Sequence, residues 1–123
     1  MAVKVVDASV IAAVLFGEPG TDAIRKMLAG AQLVAPALLG FELANVCLTK
    51  MRRHPDQRQE LLHSFQLRGR LRVETVDIDH LGALGLAEAS GLTAYDASYL
   101  WLARELGAEL VTLDRRLAAA VAS

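Results

Sequence analysis

Apolar and polar positions fall in short blocks whose period changes along the chain. Val3 to Val6 is brief and β-branched, broken only by Lys4, as a buried strand requires. Asp7 ends it, and an apolar run from Ser9 to Phe16 predicts a helix stopped by Gly17 and Pro19. Thr21 is placed to cap a second helix reaching Leu28, closed by Gly30, and Gln32 to Ala35 reads as a second strand. Pro36 then opens a long helix over 37–53, ended by His54-Pro55. On it, Leu39, Leu43, Val46 and Cys47 form an apolar stripe, while Glu42, Asn45, Thr49 and Arg52 form a polar one.

A helix over 56–66 follows, then a basic cluster of Arg68, Arg70 and Arg72. Val73 to Val76 predicts a third strand, and Asp77 or Asp79 caps a helix running through Ala89 to a stop at Gly91. The stretch LTAYDASYLWLARELGAELVTLDRRL completes the pattern as helix, stop at Gly107, strand over 109–113 and a short last helix over 117–121. Strands alternating with helices predict a mainly parallel sheet with helices on both faces, an α/β/α sandwich in three layers. No repeat, low-complexity tract or linker divides it, so 1–123 reads as a single domain.

Composition narrows the chemistry. With 54% hydrophobic and 22% charged residues the chain is globular, and 5% aromatics argue against a stacking platform for single strands, which would need exposed rings. The net charge of −1 gives no global basic field. If Asp7, Glu42, Asp96 and Asp114 share a pocket, the remainder carries 13 basic against 10 acidic residues, a mildly basic surface around an acidic site. Cys47 is the only cysteine, set among apolar residues, which excludes a disulfide framework and a cysteine zinc site. No segment has the form of a signal peptide or a membrane span, so the expected location is the cytoplasm.

Those four acids carry the candidate chemistry. Each alone also fits a structural role, since Asp7 and Asp114 sit where N-caps sit, Asp96 lies near a helix start, and Glu42 fits a solvated face. Jointly, two strands end in Asp and two helices carry an acid in or near the first turn. A parallel sheet can bring such positions to its carboxyl edge, where open α/β folds place ligands. Clustered carboxylates repel one another unless a cation neutralises them, and an oxygen-only donor set suits Mg2+ or Mn2+. Such a site suits attack of water on a phosphodiester. His54, His63 and His80 lie apart without metal-ligand spacing, no histidine accompanies Ser9, Ser90 or Ser98 as a base, and there is no Walker motif or Gly-x-Gly-x-x-Gly.

The order VVDASV, FELANV, LTAYDASYLWLA, LVTLDRRL resembles the PIN domain over nearly the whole chain, in particular the VapC-type toxins of bacterial toxin–antitoxin pairs. The resemblance implies a Mg2+- or Mn2+-dependent endoribonuclease that leaves 5′-phosphate and 3′-hydroxyl ends. Matched by position, Asp7, Glu42 and Asp96 are the principal metal-binding acids and Asp114 the fourth. Ser9, Asn45 and Thr112 match polar residues lining the site. An RNA substrate such as tRNA or rRNA, a cognate antitoxin and a homodimer are the implied partners. Arg52, Arg53, Arg68 and Arg70 are candidates for RNA backbone contacts, set against their reading as a solvated charged face.

Three other readings compete. A receiver domain wants a phosphorylatable Asp on a middle strand, for which Asp77 is a candidate, and a late Lys, but no Lys follows residue 50. A haloacid-dehalogenase phosphatase needs Asp-x-Asp after the first strand, and Ser9 occupies the third position. A non-catalytic PIN-like binding module is the third, disfavoured by the intact acids.

Overall fold

The computed structural model describes residues 1–122. Four strands, β1 (Val3–Val6), β2 (Gln32–Pro36), β3 (Glu74–Val76) and β4 (Glu109–Val111), form one sheet in the order β3-β2-β1-β4. Every pairing is parallel. The chain builds outward from β1 through β2 to β3, then returns to lay β4 against the other side of β1. The connection therefore reverses direction between β1 and β4. In open α/β sheets this switch point opens a crevice at the carboxyl ends of the strands.

Seven helices cover the sheet: α1 (Ala8–Leu15), α2 (Thr21–Leu28), α3 (Leu39–Arg53), α4 (Arg58–Gln66), α5 (His80–Ser90), α6 (Ala94–Leu106) and α7 (Arg115–Ala122). Helix α6 packs on β1, β2 and β4, with α5 and α7 against it, while α1 contacts α2 and α3, and α3 contacts α4. The result is the expected α/β/α sandwich. Its core joins Val5, Val6 and Val34 of the sheet to Val10, Ile11, Leu43, Tyr99, Leu100 and Leu117 of the helices. On α3 the predicted stripe is the buried one, with Leu39, Leu43 and Cys47 inside and Val46 half-buried. Burial pushes the Cys47 thiol up, and it lies 3.7 Å from Met51 Sδ and Leu61 O, the setting of an inert side chain. Among the described residues no helix is long and apolar enough to cross a membrane.

Several boundaries shift by one to two residues from the sequence expectation, and three of them have a local reason. Pro36 ends β2 and does not open the helix. Ala37 N–H donates to Val76 O at 2.9 Å, so strand alternation turns the missing N–H of Pro36 toward β1, whose register with β2 ends at Val34. Strand β4 stops at Val111 because Thr112 and Leu113 spend their polar groups on the β1 turn. Helix α7 starts at Arg115, two residues early, because Asp114 Oδ1 accepts from Arg116 N and Leu117 N at 2.8 and 3.2 Å.

Helices α5 and α6 approach closely at Gly82. A Cβ built there would lie 2.4 Å from Trp101 Nε1 and 3.1 Å from Asp79 Oδ2, whereas at Gly85, one turn on, it would meet open space. Gly82→Ala should therefore destabilise the protein. Overpacking of about 1–3 kcal/mol exceeds the ~1 kcal/mol that Ala gains over Gly in a helix. Gly85→Ala receives only the gain. Denaturant midpoints of the two variants should move in opposite directions, and a common direction would contradict this packing.

Candidate functional site

Asp7 follows β1 at the switch point and is only 6% exposed, with both carboxylate oxygens hydrogen-bonded. Oδ1 accepts from Ser9 Oγ at 2.6 Å and from Val10 N at 3.2 Å, the latter capping α1. Oδ2 accepts from Thr112 Oγ1 at 2.5 Å. The direction of both hydroxyl bonds follows from what each oxygen accepts. Ser9 Oγ accepts from Leu113 N at 2.9 Å and Thr112 Oγ1 from Asp114 N at 2.9 Å, leaving each single proton for Asp7. Two short β-strands are thus tied at their carboxyl ends through one carboxylate. The ends of β1 and β4 cannot separate without stranding it.

The other acids arrive on helix starts. Glu42 lies in the first turn of α3 and Asp96 in the first turn of α6, whose N-cap Thr93 accepts from Asp96 N at 3.1 Å. Glu42 Oε1 accepts from Tyr99 Oη at 2.5 Å, across from α6. Asp114 is the N-cap of α7 through Oδ1. Each acid keeps a structural role while facing the others.

Their mutual field is visible in their protonation. Burial holds the Glu42 carboxyl above its ordinary value, and the charges of Asp96 and Asp7 raise it further, against the opposing Tyr99 hydrogen bond. Asp96 is raised by burial first, then by Asp114 and Asp7, with the Thr93 hydroxyl and the Arg116 guanidinium pulling the other way. Tyr99 is pushed far up by its own burial and by its bond to Glu42, so it is a fixed donor. Among the described residues no three His, Cys, Asp or Glu side chains are gathered closely enough to hold an ion as they stand. Asp96 and Asp7 act on Glu42, and Asp114 and Asp7 act on Asp96, while each acid is partly tied to internal donors. The donor set itself, carboxylates with hydroxyls behind them and no nitrogen or sulfur, fits a hard divalent cation that keeps several waters. Asp7, Glu42 and Asp96 would hold it, with Asp114 at the margin.

Of the polar residues expected to line the site, Ser9 and Thr112 orient Asp7. Asn45 is exposed on α3 one turn beyond Glu42 and makes no hydrogen bond to the acids. Arg52 and Arg53 lie exposed in the last turn of α3, some ten residues or about 15 Å along the helix from Glu42. Arg68 is occupied locally, donating to Phe65 O at 3.1 Å with its guanidinium over the Phe65 ring, and Arg70 is exposed in the 3-10 turn Arg68–Leu71. None of the four is bonded to an acid. Two residues near the acids escaped the sequence reading. Tyr99 had a signal, because a tyrosine inside an apolar helix needs a partner for its hydroxyl, and it stands three residues after Asp96. Arg116 had only its place two residues after Asp114.

Comparison with known proteins bears on the family and the fold. The PIN domain family model matches residues 4–122. Ribonuclease VapC3 of Pyrobaculum aerophilum is 34% identical over 119 residues, covering 93% of this chain and 91% of that protein. The crystal structure of PAE2754 from Pyrobaculum aerophilum matches with a TM-score of 0.68 at 28% identity, over 98% of this chain and 87% of that one.

Two outcomes follow from the site. Glu42 and Asp96 bind protons more tightly folded than unfolded, so without metal their charged forms oppose folding. Thermal stability in chelator should rise as pH falls from neutrality toward the ordinary carboxylate range, and Asp96→Asn should raise the neutral-pH midpoint and flatten that slope. A midpoint lowered by Asp96→Asn would contradict the reading. Thr112→Val should cost about 1.5–3 kcal/mol in denaturant unfolding, the scale of a hydrogen bond to a charged group.

Proposed function

The chain belongs to the PIN-domain family, in its VapC-type branch, and from that premise we propose that it is a metal-dependent endoribonuclease, the toxin of a VapBC-type pair. The observation that carries the reading is a buried Asp7 at the carboxyl edge of a parallel sheet, beside the reversal between β1 and β4, locked by two hydroxyls and with its charge felt by Glu42 and Asp96. The reaction is hydrolysis of an RNA phosphodiester, leaving 5′-phosphate and 3′-hydroxyl ends. Mg2+ or Mn2+ at the acids supplies a lowered water pKa and neutralises charge on the phosphate.

The protein's own contribution is positioning. Ser9 and Thr112 hold the Asp7 carboxylate in one orientation, so no reorganisation is needed when substrate arrives. Tyr99 fixes Glu42 from the core side. Thr93 fixes the start of α6 and so the placement of Asp96. Arg116 is the cation closest in effect to Asp96 and offers a contact for the strand's phosphates, which would otherwise meet only acids. In this reading the protein acts in the cytoplasm on RNA such as tRNA or rRNA, pairs as a homodimer and is silenced by a cognate antitoxin that covers the acids.

The test is cleavage of pooled tRNA and rRNA with Mn2+ or Mg2+, with and without chelator. Cleavage should need the metal, and Asp96→Asn should reduce it by roughly 100-fold or more, the scale set by a positioned catalytic group. Full activity in the variant would overturn the site assignment. Absence of both cleavage and metal binding would turn the reading to a non-catalytic PIN module.

A further inference from the structure

Two exposed rings stand beside the acids. Phe41 immediately precedes Glu42 in the first turn of α3, and Tyr95 immediately precedes Asp96 in the first turn of α6. They are 85% and 67% exposed, so neither ring contributes much to the core. Both line one hollow of about 310 Å³, completed by Leu38 and Glu42. Leu38 and Tyr95 also line a second hollow of about 280 Å³, with Ile78 and Ala83 as apolar neighbours and Asp77 and His80 as polar groups. The hollows adjoin across Leu38 and Tyr95, above the ends of β2 and β3.

The neighbourhood selects the occupant. Aromatic faces beside a phosphodiester site hold unpaired bases, and stacking tolerates any base because each has a π-face. The second hollow is mainly apolar with Asp77, His80 and Ser98 among its polar side chains, the composition of a pocket that reads the edge of a ring. Glu42 itself forms part of the first hollow, so a base seated there has its phosphate beside the acids. Arg116 offsets the charge of Asp96, the acid next to Tyr95.

We propose that Phe41 and Tyr95 form a stacking platform for an unpaired base of the RNA strand, and that the hollow beyond Tyr95 receives the adjacent base, its edge met by Asp77 and His80. The proposal rests on the endoribonuclease reading. It makes Phe41 and Tyr95 positioning residues that select single-stranded RNA next to the cut.

The experiment measures fluorescence anisotropy of labelled A12, U12 and C12 RNA and of an A12–U12 duplex, with Ca2+ as the divalent ion, on the full chain. The wild type should bind at least one single strand more tightly than the duplex. Phe41→Ala and Phe41→Leu should each weaken single-strand binding about fivefold or more, while Phe41→Tyr and Phe41→Trp restore it. Leucine keeps the apolar surface and loses the ring, so it separates base stacking from the docking of a protein helix or a second copy. Equal affinity in wild type and Phe41→Leu would overturn the proposal. So would a change in oligomeric state by light scattering with RNA affinity unmoved, which would assign the surface to an interface between copies. Failure of the wild type to bind Mn2+ by calorimetry would overturn the nuclease reading itself, a separate outcome from a ring-independent RNA affinity.

Discussion

A carboxylate buried at the end of a strand must be fully hydrogen-bonded or be neutralised, because an unpaired buried charge costs several kcal/mol. Asp7 meets that demand with two hydroxyls and a backbone N–H. Much of the local architecture follows from the bonding. Thr112 and Leu113 leave the ladder to serve it, which ends β4 at Val111 and sets the chain on course for the Asp114 cap of α7. Ser9 begins α1 while bridging to Leu113, so the first and last thirds of the chain meet at one oxygen. The same bonds that satisfy a buried charge give it a single orientation.

The remaining acids are treated differently. Glu42 has one hydroxyl donor and the field of two neighbouring carboxylates, and Asp96 sits between Asp114 and Asp7 with Arg116 as its compensation. Burial first, and neighbouring carboxylates after it, disfavour their charged forms. Such local cost at a site is the usual exchange of stability for activity. A hard cation would relieve it, and so would link the stability of this edge to the chemistry proposed there.

The alternation of short β-branched runs with helical stripes was enough to place all four strands, the helices and the sheet's sense, because each element buries one recognisable face. The acids were legible for the same reason, since strand ends and first helical turns are positions that the pattern itself locates. What escaped depended on contacts between distant segments. The early end of β4 is set by hydroxyls reaching Asp7, and Pro36 is tolerated in β2 only because its ladder with β1 has already ended. Tyr99 reaches Glu42 from a helix 57 residues away in sequence. The arginines were chosen by clustering, yet Arg68 is engaged on Phe65 and Arg52 and Arg53 stand at the far end of α3. Arg116, with no cluster to announce it except Arg115, is the one that acts on an acid. A low aromatic content argues against a stacking platform for single strands, yet Phe41 and Tyr95 share a hollow because two helix starts meet there.

The claim on which the rest depends is that the acids at this edge form one cation site built around Asp7. Titration calorimetry of Mn2+ into the wild type and into Asp7→Asn at neutral pH tests it most directly. The account predicts saturable binding in the wild type and its loss in the folded variant. Binding of equal affinity in Asp7→Asn, or no binding in the wild type, would contradict it.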